Sequence, residues 1–260
     1  MNQRLIDAHI HLDMYDEAER IHLMDSLKDN SVNALIAVSN NYESSIHQLE
    51  LSRSDSRIKP ALGYHPEQQL PSEAEVQSIL KLIDENHEKL IAIGEVGLPY
   101  YLRKEQPKLE ITPYVELLET FIKKAVQWDL PIVLHAVYED AGMVCNLLEK
   151  YRVSRAHFHW FKGSDDVLEK VLSNNYVISV TPDVTYKPKI QRLVKQTPLS
   201  QLMIETDGPW PFEGQFTGQT TQPSMMHESV RTIAELKELQ PEVVYREIFE
   251  TTKTFYRIMN

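Results

Sequence analysis

Two histidines separated by one residue stand near the start of the chain, in Asp7-Ala8-His9-Ile10-His11. Residues two apart on a strand face the same way, so both imidazoles project to one side. Other polar residues close short apolar runs. His65 ends Ala61-Leu62-Gly63-Tyr64-His65, Glu95 ends Ile91-Ala92-Ile93-Gly94-Glu95, and His135 ends Ile132-Val133-Leu134-His135. His159 follows Phe158, and Asp207 closes Leu202-Met203-Ile204-Glu205-Thr206-Asp207. Singly, each has a plain explanation. A carboxylate after a strand caps the next helix or meets solvent, and a lone histidine is more often a hydrogen-bonded structural residue. Jointly, His9, His11, His135, His159, Glu95 and Asp207 supply imidazole nitrogens and carboxylate oxygens, which suit Zn²⁺ and related transition metals. They are too many for one four-coordinate ion. They suit two ions about 3.5–4 Å apart that share a carboxylate. His65 remains as a donor toward substrate.

Something must bring these residues to one place. Apolar, often β-branched runs recur at Leu5–Leu12, Ala34–Ser39, Ile58–His65, Leu90–Gly97, Pro131–Ala136, Arg155–Phe161, Tyr176–Thr181 and Leu202–Asp207. Between them lie amphipathic patterns at Glu17–Asn30, Ser72–His87, Val115–Trp128, Asp140–Tyr151, Asp165–Asn174 and Ser224–Leu239. A last helical pattern, Glu242–Arg257, covers the outside or one end. Eight strand–helix units at roughly 32 residues each predict an α/β fold of the (β/α)8 TIM-barrel type, a single domain over 1–260. Barrel enzymes build their sites at the C-terminal ends of the strands, where most of these runs end in a ligand-type residue. An open doubly wound sheet has the same alternation. Its commonest signatures, Gly-x-Gly-x-x-Gly and the P-loop, are absent, and glycine is scarce at 8 residues. The stretch Gly208–Ser224 reads as a long functional loop.

The charge is formally −11, from 27 basic and 38 acidic residues, which excludes a protein holding nucleic acid through a broad basic surface. A substrate gripped locally, with bound cations supplying positive charge, is compatible with it. The one cysteine, Cys145, permits neither an intrachain disulfide nor a cysteine-rich zinc site. It lies in a helical pattern and reads as buried and inert. No apolar run approaches the roughly 20 residues of a membrane span, and no secretory pattern is visible at the N-terminus. The expectation is a cytoplasmic protein with no membrane role and no obligate protein partner. His22, His47, His87 and His227 fall in helical patterns as surface or packing residues. His157 shares a strand face with His159 and is expected one layer deeper in the barrel. Asp7 and Asp13 flank the His pair, either orienting an imidazole or serving turns and caps.

These pieces resemble the TatD-type metal-dependent hydrolases, within the wider amidohydrolase-like barrels. The resemblance runs from Asp7 to about Pro211, more weakly to the C-terminus. It rests on Asp7-Ala8-His9-Ile10-His11-Leu12-Asp13, Gly63-Tyr64-His65-Pro66, Gly94-Glu95-Val96-Gly97-Leu98, Leu134-His135-Ala136, His159-Trp160-Phe161-Lys162-Gly163 and Glu205-Thr206-Asp207-Gly208-Pro209-Trp210. It implies that His9, His11 and Asp207 hold one metal, that His135 and His159 hold a second, and that Glu95 bridges both. It also implies that His65 contacts a substrate phosphate oxygen. The chain departs from the family pattern at Pro99, where Asp is common, and at Ala136-Val137-Tyr138, where Ser-Arg is common. Trp160 stands where Cys is frequent, and Thr221-Gln222-Pro223 replaces Asn-Glu-Pro. None of these is a ligand, so metal binding transfers better than substrate.

The expected cofactors are two divalent ions per chain, Zn favoured over Mn or Mg by the His-rich donor set. The expected chemistry is attack by a metal-bridging hydroxide, with Asp207 as general base and the ions and His65 stabilising charge on phosphate oxygens. Arg103 and Lys104 read as solvated charges, with a local phosphate grip as the alternative. Tyr100, Tyr101, Trp160 and Trp210 either stack on a base or sugar or pack the mouth. The favoured reaction is phosphoester hydrolysis, with a deoxyribonuclease acting on DNA 3′ ends as the family-based expectation. The alternative is hydrolysis of a C–N or carboxyl-ester bond, including aminoacyl-tRNA deacylation. A non-catalytic metal module is disfavoured, since structural sites are usually closed.

Overall fold

The apolar runs become strands, all but β2 shorter than their runs. A computed structural model describes residues 3–259; of the expected domain over 1–260, residues 1, 2 and 260 lie outside the described residues. The strands are β1 (Leu5–Ile10), β2 (Val32–Val38), β3 (Ile58–Leu62), β4 (Ala92–Gly97), β5 (Ile132–His135), β6 (Ala156–Phe158), β7 (Val177–Val180) and β8 (Leu202–Ile204). They form one parallel sheet in sequence order. Just beyond β8, the seam with β1 is closed by two backbone bonds. Asp207 N–H donates to the His9 carbonyl at 2.9 Å, and His11 N–H donates to the Gly208 carbonyl at 2.8 Å. The result is a (β/α)8 barrel.

The helices are α1 (Glu17–Ser26), α2 (Tyr42–Ser54), α3 (Glu73–Asn86), α4 (Tyr100–Glu105), α5 (Thr112–Gln127), α6 (Asp140–Lys150), α7 (Asp165–Ser173), α8 (Pro188–Gln196), α9 (Met226–Lys237) and α10 (Pro241–Phe255). Local chemistry sets several starts. Asp16, Asn41 and Ser72 accept backbone N–H bonds as N-caps of α1, α2 and α3. In α5, Leu118, Phe121, Ile122 and Ala125 are buried at three- and four-residue steps. Each large apolar side chain so buried contributes about 1.5–3 kcal/mol.

Helices α2, α4 and α8 lie outside the amphipathic patterns named from the sequence. Helix α2 buries Ser44, Ser45 and Gln48 beside Leu49, so its inner face is mostly polar and carries no apolar stripe. Helix α4 has only 6 residues, and α8 has 9 and opens on Pro188.

Buried apolar residues form two main layers. One lies between sheet and helices and includes Leu5, Leu35, Phe121 and Phe158. The other gathers Ile6, Ala34, Ala61, Val133 and Met203 from the strands with Phe255 and Tyr256 from the end of the chain. Tyr256 lies just past α10, donates toward the Ala8 carbonyl at 3.4 Å and meets His157 at 2.7 Å. The last helical pattern therefore closes one end of the barrel. The polar residues collect at the other.

Candidate metal centre

His9 lies on β1 and His11 immediately after it, with their Nε2 atoms 3.4 Å apart. Glu95 is on β4 and His135 ends β5. These two strands approach closely because position 97 is glycine: a Cβ there would lie 1.9 Å from the His135 carbonyl oxygen. His65, His159 and Asp207 lie in loops just past β3, β6 and β8. Asp207 adopts φ 50, in the left-handed region that Asp tolerates better than most residues.

The structure brings all of these residues into one cluster. His9, His11, Glu95, His135, His159 and Asp207 are buried, and His65 is partly exposed. Oε2 of Glu95 is 3.1 Å from His9 Nε2 and 3.3 Å from His11 Nε2. Oδ1 of Asp207 is 3.4 Å from each of those nitrogens. Corners so spaced enclose a centre about 2 Å from each, the length of a Zn–N or Zn–O bond. The other Glu95 oxygen, Oε1, is 2.7 Å from His159 Nε2, 3.0 Å from His135 Nδ1 and 3.5 Å from His65 Nε2.

Two buried oxygens in this cluster, Glu95 Oε2 and Asp207 Oδ1, have no hydrogen-bond partner among the described residues. A buried acceptor without a partner is destabilising. Both oxygens face imidazole nitrogens, so a cation satisfies all of these donor atoms at once. The residues fit divalent metal.

The electrostatics agree. Burial pushes the Glu95 carboxyl up, but His159, His65 and His9 outweigh it and hold the group well below the ordinary range. Burial is likewise outweighed at Asp207, chiefly by the His11 imidazole beside it. Burial alone would lower His11, yet the Asp207 and Glu95 carboxylates beside it raise it to about 10. His159 is raised well above its usual value, burial again being overcome by Glu95 and Glu205. Carboxylates that draw protons onto imidazoles also draw cations, which displace those protons.

His65 differs. Burial drives it down to about 3, so it is neutral at working pH. The Glu67 backbone N–H donates to its Nδ1 at 3.2 Å. The ring proton therefore sits on Nε2, the nitrogen on the Glu95 side.

Two positioning carboxylates escaped the sequence reading. Glu67 Oε1 accepts from His135 Nε2 at 3.0 Å, and the same carboxylate accepts the backbone N–H groups of Tyr101 and Leu102 at 2.9 and 2.7 Å. Its only sequence signal was a place two residues after His65; its partner is 68 positions away. Glu205 accepts the Trp160 backbone N–H at 2.7 Å and the Ser179 hydroxyl at 2.5 Å, and lies 3.5 Å from His159 Nδ1. Its alternation with Asp207 along the strand was the available signal.

His157 lies deeper, as expected, bonded to Tyr256 and to Ser179 at 2.6 Å. Among the described residues Asp7 bonds no imidazole. It accepts from the Thr206 hydroxyl at 2.5 Å and from the backbone N–H groups of Thr206 and His9, tying β8 to β1. Asp13 accepts from Gln48 at 2.8 Å. His87 stacks on Trp128, and His227 bonds Tyr245.

A cavity of about 360 Å³ opens over the cluster, walled by Tyr101, Val137, Trp160 and Trp210 with Lys162. Tyr100 instead packs on Tyr101 and Tyr138. Arg103 pairs with Asp140, and neither it nor Lys104 lines the cavity. The cation at the mouth is Lys162. A larger cavity of about 600 Å³ lies elsewhere, between Arg4, Arg57, Lys59 and Phe249, and contains none of the clustered donors.

A parallel barrel with buried imidazole and carboxylate donors under an open cavity has the form of a metal-dependent hydrolase. Comparison with known proteins assigns the family. Residues 6–257 match the family described as TatD related DNase, and the chain belongs to it. It is 40% identical to an uncharacterized metal-dependent hydrolase of Haemophilus influenzae, over 98% of this chain and 100% of that one. It is 31% identical to the human protein named Deoxyribonuclease TATDN3, over 79% of this chain and 78% of that one. In fold it matches the crystal structure of the Escherichia coli TatD homolog YjjV, with a TM-score of 0.89, 24% identity and full coverage of both chains. No helix among the described residues is long and apolar enough to cross a membrane.

Proposed function

We propose that this member of the TatD family hydrolyses phosphoester bonds, with DNA 3′ ends as the favoured physiological class. The observation that carries the reading is the division of Glu95. One oxygen faces His9 and His11, and the other faces His135 and His159. A carboxylate so divided suits two cations, one held with His9, His11 and Asp207 and one with His135 and His159. Two divalent ions, zinc favoured with manganese and magnesium as alternatives, would activate water and neutralise charge on phosphoryl oxygens.

The chain's own residues supply the rest. Asp207 is held ionised by its imidazole neighbours and takes the proton of the attacking water on its carboxylate. His65, neutral and carrying its proton on Nε2, donates to a phosphoryl oxygen. Tyr101 and Trp210 flank the organic part of the substrate, and apolar walls limit water around the reacting group. The human relative's name, a deoxyribonuclease, supports DNA within the phosphoester class. The protein acts in the cytoplasm without an obligate protein partner.

The test is an activity screen of metal-loaded protein against phosphomonoesters, phosphodiesters, DNA, RNA and cyclic amides. Hydrolysis of phosphoesters, abolished by chelator, is expected. Turnover confined to amides or carboxyl esters would replace this reading with the C–N or ester alternative.

A further inference from the structure

Lysine heads ordinarily stay in water while the stem packs. Lys162, in the loop after β6, is partly buried at the cavity wall instead. Its Nζ lies 3.3 Å from the Tyr101 hydroxyl and 3.5 Å from the centre of the Trp160 ring. An ammonium has three N–H donors. The hydroxyl takes one and the π face another. Among the described residues no carboxylate pairs with this ammonium, so its third donor has no protein acceptor. Nearby lysines are engaged differently. Lys187 pairs with Asp183 at 3.2 Å, and Lys189 donates to the Lys162 carbonyl at 3.0 Å.

The cradle is itself fixed. Trp160 is held at φ 37, an unusual backbone for a bulky residue. Its N–H donates to Glu205, and its indole N–H donates to Asp183 at 2.9 Å. Burial lowers the Lys162 ammonium to about 8, with Asp183 and Asp207 opposing. The fold thus keeps a cation against an aromatic wall, beside a centre whose donors fit divalent cations.

We propose that Lys162 grips a phosphoryl oxygen of the substrate, selecting substrates with an unesterified anionic oxygen over neutral esters and amides. This rests on the phosphoester reading above. The cavity is near the small end of ligand pockets, so the phosphate arrives on a small molecule or on a terminal unit of a chain.

The test is calorimetric titration of metal-loaded full chain with inorganic phosphate, comparing wild type, Lys162→Met and Lys162→Arg. Lost charge-assisted hydrogen bonding should weaken phosphate binding about tenfold to a hundredfold in Lys162→Met. Metal content and melting temperature should be unchanged, and Lys162→Arg should restore most of the affinity. A kinetic arm uses p-nitrophenyl phosphate and a dinucleotide: a rise in KM, with kcat little changed, shows which source of phosphate Lys162 serves. Equal phosphate affinity in wild type and Lys162→Met overturns the proposal, as does absence of phosphate binding by wild type. Absence of phosphoester turnover, with phosphate binding still dependent on Lys162, would defeat the hydrolytic reading and leave the anion grip standing.

Discussion

Glu67 holds His135 by the nitrogen that faces away from Glu95. The Nε2–H donates to Glu67 Oε1 at 3.0 Å, while Nδ1 lies 3.0 Å from Glu95 Oε1. With a cation on the Glu95 side, this arrangement would keep the ring proton on Nε2 and leave the Nδ1 lone pair for the ion. Such carboxylate–histidine–metal relays typically tune affinity by 10–100-fold. Glu67→Gln should therefore weaken metal binding by about that factor while the barrel stays folded. Chelator competition measures it, and affinity within about twofold of wild type would remove Glu67 from this role.

Asp207→Asn keeps the size of the side chain and removes its basicity. At saturating metal, kcat should fall about 10²–10⁴-fold, with circular dichroism unchanged. Near-normal turnover by this variant would rule out Asp207 as the base.

His11 makes a pH prediction with a definite sign. Its folded-state pKa is raised from 6.5 to about 10 by Asp207 and Glu95 against the opposing effect of burial. The associated stability is fully present below pH 6.5 and is lost as pH rises through about 10. A bound cation replaces that proton. The gap in melting temperature between metal-loaded and metal-free protein should widen from pH 6.5 upward, as far as both remain soluble. A constant or shrinking gap would contradict the placement of His11 among the ligands.

Tyr256 caps His157 inside the barrel, away from the chemistry. Tyr256→Phe leaves a buried imidazole nitrogen unpaired, which costs about 1–3 kcal/mol. At about 2–4 °C per kcal/mol for a chain of this size class, the melting temperature should drop by several degrees. Turnover by the folded enzyme should change little. An unaltered melt would show that this bond contributes nothing net.

The fold was readable because β/α alternation and ligand-type residues at strand ends carry the same message. His9-x-His11 is local: one strand positions both rings. Glu67, Glu205 and Lys162 were not readable as functional residues because their roles come from closure of the barrel. Glu67 reaches His135 across β3 and β5, and Glu205 meets Trp160 and His159 across β6 and β8. Helix α2 was obscured for a related reason, since Ser44, Ser45 and Gln48 are buried through polar contacts. The expected strand ends ran long because β3, β6 and β8 end before His65, His159 and Asp207. The loops aim those residues.

The proposed division of Glu95 between two ion sites is tested most directly by titrating metal-free wild type and Glu95→Gln with Zn²⁺ or Mn²⁺ in a calorimeter. Wild type should take up two equivalents per chain. Glu95→Gln should weaken both, because each loses one carboxylate oxygen. No binding by wild type, or two undiminished sites in Glu95→Gln, would contradict a shared Glu95.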